Sequence, residues 1–366
     1  MCIRLLSLFS GIGAYESALR KENIPYKLVN YCEIDPYPSK AYSIMYDVNE
    51  SKNLGDITKI DISSLPDFDL LTHSFPCTSI SIAGKLEGAD KGSGTASSLV
   101  WNVVDIIEAK RPKAVIFENV KNLLSKKFEH VLNAYIDQMH KFGYTTTYKV
   151  LTATDFGIPQ SRERVFCVSV LGDKFEFGKI QYNKDKKTLK DILDKEVDTK
   201  YYLTEKQIMM LYNWKAHQRP LAKVRGLNSV SSTLTARGVG SWHSGMMLYN
   251  ANFGGDTNVD DIIKMGAMRG RYDSNGKIYQ NLELRKDDNT NTITTVHKDN
   301  LVCDLTTIRR LTPKESWRLM GFGEEDFYKV SSLGFSDAKL YKMAGNSVVV
   351  NVLQAIFREM RNQGII

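Results

Sequence analysis

The sequence predicts an α/β fold, in which a doubly wound, mainly parallel sheet is joined to a smaller lobe rich in loops and strands. First, apolar runs of strand length alternate with segments of helical spacing over about 170 residues. Second, a glycine-rich turn separates the first strand from its helix, as is typical of doubly wound folds. Third, residues 220–305 change character and carry many Gly, Asn, Ser and Thr with only short β-like runs.

The elements of the sheet domain follow in order. Residues 3–9 read as a buried strand, and the turn after them opens a helix that ends near Asn23 and Pro25. A second strand covers "YKLVNYCEID", and a helix starts behind the prolines of "PYPSKAYSIMY". The third strand, "FDLLTHSF", runs into Pro76 and Cys77. A helix over "SSLVWNVVDIIEAKRP" leads to a fourth strand, "KAVIFENV", and to the strand-like runs "YTTTYKVLTA" and "RERVFCVSVLG".

The chain leaves the sheet domain from about Lys174, where the sequence becomes densely charged. Helical patterning resumes much later, at "TPKESWRLMGF" and "NSVVVNVLQAIFREM". Two short segments between these regions resemble each other, "SSTLTARG" and "NTITTVHK". Each places an aliphatic residue between two threonines, a match that also arises by chance.

Composition limits the class of protein. The 366 residues carry 49 Lys and Arg against 42 Asp and Glu, and the resulting charge of +7 is compatible with a polyanionic partner. No apolar run reaches the roughly 20 residues that span a bilayer, so we expect a soluble, intracellular protein. The cysteines are scattered without a CxxC pair, which argues against a disulfide framework and a structural zinc. They are Cys2, Cys32, Cys77, Cys167 and Cys303.

The glycine-rich turn has part of a nucleotide-binding pattern. Gly11 and Gly13 would let the backbone approach a ligand at the start of a helix, but Glu16 occupies the third glycine position of GxGxxG. Glu33 ends the second strand, where ribose hydroxyls are usually held. The two features favour a nucleoside-bearing cofactor without a pyrophosphate over NAD. A plain strand-to-helix turn is the alternative.

A lone thiol, Cys77, follows a proline at the expected carboxyl end of the third strand, where open α/β sheets place their active sites. A cysteine in such a protein is more often a small buried hydrophobe. Glu118 ends the next strand, however, and Arg162 and Arg164 enter another. A nucleophile, an acid and two cations at adjacent strand ends predict a common substrate.

Over nearly its whole length the chain resembles a DNA (cytosine-5)-methyltransferase of the bacterial and phage type. The matching blocks, in the family's order, are "LFSGIG", "EIDPY", "GDI", "FPC", "ENV", "PQSRERVF", "RRLTPKESWRLMGF" and "AGNSVVVNVL". The resemblance implies the Rossmann-like fold of S-adenosylmethionine-dependent methyltransferases. It places the catalytic and cofactor-binding domain at 1–178, the target-recognition domain with linking segments at 179–325, and a C-terminal segment returning to the catalytic domain at 326–366.

The resemblance also implies methyl transfer from S-adenosyl-L-methionine to C5 of a flipped-out cytosine in a specific double-stranded DNA sequence. The Cys77 thiolate would attack C6, and Glu118 would hydrogen-bond or protonate N3. Arg164 would contact O2 of the base, and Arg162 would hold the catalytic loop and Glu118. No residue is assigned to remove the C5 proton, and water is a candidate.

Further roles follow from the same resemblance. The cofactor-binding residues implied are Phe9, Gly11, Gly13, Glu33, Ile34, Asp56, Leu99, Asn346, Ser347 and Val348. The DNA-binding residues implied are Ser81, Lys85, Thr233, Arg237, Arg269, Arg271 and Thr292. In the family a Thr-Leu or Thr-Ile pair anchors the recognition loop. This chain has two such pairs, beginning at Thr233 and Thr292, so recognition is expected in either one part or two.

Some positions depart from the family pattern, and other functions compete. Thr78 follows the cysteine where glutamine is usual, and Ile80 replaces an aromatic residue. The alternatives are a tRNA cytosine-5 methyltransferase, a catalytically silent DNA-binding module and an NAD oxidoreductase. The expected partner is double-stranded DNA, with a cognate restriction endonuclease as a further candidate. We expect a monomer without membrane contact, cytoplasmic and associated with the nucleoid.

Overall fold

The computed structural model describes residues 2–81, 88–183, 185, 187–202, 264–272, 278–284, 290–291, 301–303 and 308–366, with only the backbone of the strands between 264 and 303. Its contacts divide the chain into two units. The first comprises Met1–Thr152, Glu163–Tyr182 and Ser347–Ile366, and the second comprises Ala153–Arg162 and Asn183–Asn346.

Strands and helices are numbered in chain order. The strands are β1 (Ile3–Leu8), β2 (Tyr26–Cys32), β3 (Leu70–His73), β4 (Ala114–Val120), β5 (Tyr144–Thr152), β6 (Gln160–Ser161), β7 (Glu163–Leu171), β8 (Lys264–Tyr272), β9 (Ile278–Leu284), β10 (Thr290–Asn291), β11 (Leu301–Cys303) and β12 (Ile308–Arg310). The helices are α1 (Ala14–Lys21), α2 (Pro36–Tyr46), α3 (Val100–Lys110), α4 (Glu129–Lys141), α5 (Pro313–Arg318), α6 (Glu324–Ser331), α7 (Asp337–Asn346) and α8 (Val350–Asn362).

The first unit is built on a six-stranded sheet in the order β2-β1-β3-β4-β7-β5. Strands β1 to β4 are parallel, whereas β7 runs antiparallel to both of its neighbours. The predicted α/β class with a mainly parallel sheet is therefore confirmed. Leu8 pairs with Cys32 and with His73, and His73 pairs with Phe117. Because these residues are in register, the carboxyl ends of β1 to β4 form one edge.

Helix α3 buries one apolar face in the core of the first unit. Its sequence, "VWNVVDIIEAK", repeats apolar residues at helical spacing, and Val103, Val104, Ile106 and Ile107 are buried in the core. The helix ends at Arg111, whose left-handed backbone (φ 52°) turns the chain just before Pro112. Proline cannot continue a helix, so β4 starts two residues later.

Helix α8 belongs to the first unit although it lies near the end of the chain. The Phe357 ring meets the Tyr15 ring of α1 edge to face, with centroids 6.4 Å apart. Arg358 Nε donates to Glu22 Oε2 over 2.9 Å at the end of α1. The segment that returns to the sheet domain thus begins at Ser347 and packs on the first helix.

The second unit contains an antiparallel sheet in the order β12-β11-β8-β9 and a parallel pair of β6 with β10. Helix α5 begins with a capping box between Thr312 and Glu315. Both carboxylate oxygens of buried Glu315 also accept from Arg309, each over 2.9 Å. Among the helices that the structure describes, none is long and apolar enough to cross a bilayer.

Candidate active site

The nucleophile turn, residues Phe75–Ser81, follows β3 at the carboxyl edge of the sheet. Pro76 fixes the direction of the backbone before half-buried Cys77. The Cys77 carbonyl accepts hydrogen bonds from the amides of Ile80, over 3.1 Å, and Ser81, over 2.7 Å. The chain therefore winds into one helical turn directly after the thiol.

Residues at the end of β4 attach the nucleophile turn to the sheet. Asn119 Nδ2 donates to the Phe75 carbonyl over 3.0 Å, and Asn122 Nδ2 donates to the Ile80 carbonyl over 2.6 Å. These two bonds hold the beginning and the end of the turn beside Glu118. Sequence reasoning missed both asparagines, although "ENV" itself was recognised, because an asparagine after a strand does not reveal its partner.

Glu118 and Arg164 are brought together, as the sequence predicts. Val120 of β4 pairs with Arg164 of β7, and the antiparallel register places the two side chains within reach. Arg164 Nε lies 3.1 Å from Glu118 Oε1, and their side chains are only 18% and 9% exposed. A carboxyl group paired in this way is held in one orientation while facing little water.

Arg162 lies in the second unit and is buried. Its Nη1 donates to the Gly345 carbonyl near the end of α7 over 3.4 Å. In the same unit, Gln160 Nε2 donates to the Leu319 carbonyl over 2.7 Å. The role expected for Arg162 in holding Glu118 stays a prediction.

His73, the last residue of β3, is packed among aromatic rings next to the nucleophile turn. It is fully buried, and within the described part of the chain neither ring nitrogen has a hydrogen-bond partner. Its ring packs against Phe75, Phe117 and Tyr135, with centroids 6.0, 5.2 and 6.4 Å away. Burial lowers the pKa of His73 to about 3, so the imidazole is neutral at physiological pH and holds no proton to donate.

The glycine turn between β1 and α1 is left-handed at three positions. Phe9, Gly11 and Gly13 have φ of 50°, 54° and 75°. A Cβ on Gly13 would lie 2.9 Å from Tyr42 Cε2 and closer still to Tyr46, so this glycine is required by the packing of α2. A Cβ on Gly11 would meet no atom of the described residues within 4 Å, which leaves this backbone open to a ligand.

Glu33 joins the glycine turn to the end of β2. The Gly11 amide donates to Glu33 Oε2 over 2.9 Å, and the Asp35 amide donates to Oε1 over 2.8 Å. The backbone of Glu33 is itself held by Asn53, which accepts from its amide over 3.0 Å and donates to its carbonyl over 2.9 Å. Gly11 and Glu33, both predicted to bind the cofactor, are therefore joined directly by a hydrogen bond.

Further predicted cofactor residues lie near this edge. Ile34 is 72% exposed, an unusual state for an isoleucine, and its predicted contact with the cofactor stays a prediction. Asp56 caps a short helical turn, accepting from the Thr58 amide over 3.0 Å and from its hydroxyl over 2.8 Å. These bonds lower the pKa of Asp56 and keep it an acceptor. An open backbone, an exposed apolar side chain and two carboxylates fit a nucleoside with an amino-acid tail.

The remaining predicted residues are distributed over both units. Leu99 is half-buried just before α3, and Ser347 and Val348 are buried in the first unit. Asn346 is exposed at the end of α7 in the second unit. Ser81 ends the nucleophile turn. Arg269 and Arg271 lie on β8, where their backbones pair with Asn281 and Tyr279. The residues that fall outside the described part of the chain are Lys85, Thr233, Arg237 and Thr292.

A mainly parallel sheet with β7 reversed, carrying a thiol, an ion pair and a glycine turn on one edge, defines a Rossmann-like methyltransferase. The family model for C-5 cytosine-specific DNA methylases matches residues 3–362, and the chain belongs to this family. It is therefore a DNA cytosine-5-methyltransferase that takes its methyl group from S-adenosylmethionine.

Individual relatives agree with this assignment. The chain is 30% identical to the orphan methyltransferase M.SPRI of Bacillus phage SPR, over 98% of this chain and 97% of that protein. It is 31% identical to the type II methyltransferase M2.ScrFI of Lactococcus lactis subsp. cremoris, over 98% and 99%. The solved structure of S. pombe Dnmt2 methyltransferase covers 99% of both chains with a TM-score of 0.64 at 18% identity, which supports the fold.

Proposed function

We propose that the chain methylates C5 of a flipped-out cytosine in a specific double-stranded DNA sequence, through a covalent bond between the Cys77 sulfur and C6. The observation that carries this proposal is the position of the nucleophile turn. Asn119 and Asn122 attach it beside Glu118, and Glu118 is paired with Arg164. A thiol on a turn that is attached beside a carboxyl–guanidinium pair suits a base that must be attacked and polarised at once.

In the proposed reaction, Cys77 acts as a thiolate and forms a bond to C6, which places electron density on C5. Glu118, in its protonated form, donates its proton to N3 and accepts from the exocyclic amine, which stabilises the charge that develops in the ring; N3 returns the proton when the ring is released. Arg164 contacts O2 while keeping Glu118 oriented. Bound S-adenosylmethionine supplies the methyl group that C5 accepts. Loss of the C5 proton to a base, and departure of the Cys77 sulfur by β-elimination, then give 5-methylcytosine.

The cofactor is proposed to lie along the ends of β1 and β2. Glu33 binds the ribose hydroxyls, Asp56 accepts from the adenine amine, and Phe9 and Ile34 pack against the adenine. Gly11 admits the methionine end, because its backbone faces open space. The same set of residues includes Gly13 and Leu99, with Asn346, Ser347 and Val348 from the returning segment.

Covalent catalysis is tested with DNA that contains 5-fluorocytosine at the target. Fluorine cannot leave as a proton does, so a stable adduct between the DNA and Cys77 should accumulate in the presence of S-adenosylmethionine. Cys77→Ser is the matched control and should form none. Labelled S-adenosylmethionine with DNA or with tRNA, in parallel, separates DNA methylation from the tRNA alternative. An active enzyme that forms no adduct contradicts the covalent scheme.

Base flipping is proposed because C5 and C6 cannot be reached inside the stack. Unpairing costs a few kcal/mol, and less when the target base is already unpaired. The enzyme should therefore bind DNA with a mismatch or an abasic site at the target more tightly than the matched duplex. Equal affinity for the two counts against flipping. Affinity should also fall steeply with salt, because Lys and Arg contacts to phosphate displace counterions. Ser81 and Lys85 are proposed to lie on the DNA.

Target recognition is proposed for the segment 179–325, with the catalytic domain formed by 1–178 and the returning segment 326–366. Arg237, Arg269 and Arg271 would donate to guanine or phosphate, and Thr233 or Thr292 would anchor a recognition loop. Bisulfite sequencing of DNA methylated by the wild type, Thr233→Ala and Thr292→Ala decides between one part and two. Recognition has two parts if one substitution erases one sequence context and spares another. It has one part if a single threonine matters at every site.

We further propose that the enzyme acts as a monomer in the cytoplasm, associated with the nucleoid, either alone or beside a cognate restriction endonuclease. Both kinds of relative occur, since M.SPRI is named an orphan methyltransferase and M2.ScrFI a type II methyltransferase. Sedimentation of the free protein and of its complex with one DNA site would test the monomer. A dimer in either state would contradict it.

A further inference from the structure

One buried hydroxyl, that of Ser97, touches the nucleophile turn on both sides of the thiol. Ser97 is fully buried. Its Oγ donates to the Pro76 carbonyl over 2.6 Å and accepts from the Ser79 amide over 3.2 Å. A single oxygen atom thus pairs with the carbonyl of Pro76, directly before Cys77, and with the amide of Ser79, two residues after it.

Ser97 stands on a rigid support. It lies in the short helical turn Ala96–Leu99, which Thr95 caps by accepting from the Ser98 amide over 3.2 Å. That turn leads directly into α3, whose Val100, Val103 and Val104 are buried in the core. The packing of α3 therefore sets the position of the hydroxyl. Its two hydrogen bonds in turn fix the backbone on either side of the thiol.

The other side-chain bonds to the nucleophile turn act at its ends. Asn119 reaches the Phe75 carbonyl and Asn122 reaches the Ile80 carbonyl. Among the bonds that the structure describes, those of Ser97 are the ones that bracket Cys77. Without the hydroxyl, the half-buried Pro76 carbonyl and the buried Ser79 amide would each lose this hydrogen-bond partner, and the turn would shift to recover others.

We propose that Ser97 is a positioning residue, whose hydroxyl fixes the Cys77 sulfur at attack distance from C6. This inference rests on the proposed function of Cys77 as the nucleophile. Displacing a reacting group by about 1 Å costs on the order of a hundredfold in rate, so a modest shift of the turn suffices for a large effect. The hydrogen bonds described for the Ser97 hydroxyl go to the nucleophile turn, so cofactor binding at Glu33 and Asp56 should be unaffected.

The test compares Ser97→Ala with Ser98→Ala. Ser98 is the adjacent serine, and its hydroxyl donates over 2.7 Å to the Thr95 carbonyl of its own turn, away from the thiol. We measure kcat, KM for S-adenosylmethionine and DNA, and the rate of adduct formation with 5-fluorocytosine DNA. Every rate is normalised to the fraction of protein that binds the cofactor, so that unfolded protein does not count.

We expect Ser97→Ala to lower kcat and the adduct rate in parallel, by roughly ten- to a hundredfold, with both KM values unchanged. Ser98→Ala should match the wild type in every parameter. Wild-type rates in Ser97→Ala overturn the positioning role, as does a variant that no longer binds the cofactor, because the hydroxyl then supports the fold instead. An active wild type without any adduct overturns covalent catalysis itself, whatever Ser97 does.

Discussion

The two halves of the carboxyl edge differ in how their functional side chains are held, although side chains such as Asn53 also donate to backbone carbonyls in the cofactor half. In the cofactor half, at the ends of β1 and β2, backbone amides of Gly11 and Asp35 donate to the carboxylate of Glu33. In the nucleophile half, at the ends of β3 and β4, side chains of Asn119, Asn122 and Ser97 reach backbone carbonyls.

The difference follows from what each half presents. A cofactor that lies along the backbone needs an open chain, which glycine and a left-handed turn provide. A reacting side chain needs the backbone beneath it fixed, which requires partners from other elements. Damage to the first half should therefore weaken cofactor binding, whereas damage to the second half should slow the chemical step.

The largest effect is expected for Cys77→Ser, because the hydroxyl is a far weaker nucleophile than a thiolate. Turnover should fall roughly a thousandfold or more, while the dissociation constant for S-adenosylmethionine stays at the wild-type value. Methylation assays and cofactor titration by calorimetry measure the two. Substantial turnover by this variant, or loss of cofactor binding, would break the separation between the halves.

Glu118→Gln should lower kcat about a hundredfold, because the amide can neither transfer a proton to N3 nor form an ion pair with Arg164. The matched control is Glu163→Gln, which removes the neighbouring pair between Lys121, just after β4, and Glu163, at the start of β7, 3.0 Å apart and about half exposed. That control should keep full activity, since exposed pairs contribute little. Equal losses in both variants would mean that charge on β7, rather than Glu118, matters.

Much of the nucleophile half could be predicted from sequence, because its chemistry uses rare residue types. A thiol behind a proline and an acid at a strand end mark Cys77 and Glu118, and Arg164 follows from its block. The residues that position the thiol could not be predicted. Ser97 is a common residue in a helical turn, and its bonds depend on how α3 packs in three dimensions.

The sheet and the cofactor half show the same limit. Alternating strands and helices predict the parallel part of the sheet, but the reversed direction of β7 depends on long-range pairing that its sequence does not record. Gly13 was expected to admit the cofactor. The structure shows a second reason for this glycine, the rings of Tyr42 and Tyr46, which lie on a helix about thirty residues further along.

The burial of His73 predicts that the stability of the protein depends on pH. The folded pKa of His73, about 3, lies below the ordinary value of 6.5, so between these two values the unfolded chain binds the proton more readily than the folded chain. The stability that comes from burying the neutral imidazole is fully present above pH 6.5 and is lost as the pH falls toward 3. At pH 5 the wild type should have lost about 2 kcal/mol of its free energy of unfolding through His73, and His73→Leu should not show this loss. Urea unfolding at pH 7.5 and pH 5 measures it, and parallel curves for the two proteins would contradict a neutral buried imidazole.

The smallest effect is expected in the cofactor half. Asp56→Asn should raise KM for S-adenosylmethionine about fivefold, because an amide accepts more weakly than a carboxylate, and leave kcat unchanged. Asp61 is a natural control, since it caps the next helical turn by the same bonds, accepting from the Ser63 amide over 3.0 Å and its hydroxyl over 2.7 Å. Asp61→Asn should leave KM at the wild-type value. Equal increases would assign the effect to the lost cap.

The contact of α8 with α1 has a consequence for synthesis on the ribosome. Tyr15 and Glu22 emerge early, whereas their partners Phe357 and Arg358 are added more than three hundred residues later. At about 5–20 residues per second, α1 waits on the order of 20–60 s for the helix that covers it. During that interval an apolar face of the nascent chain is open to chaperones, and the cofactor-binding unit is incomplete. The enzyme therefore begins to modify DNA only after α8 has been synthesised and has packed on α1.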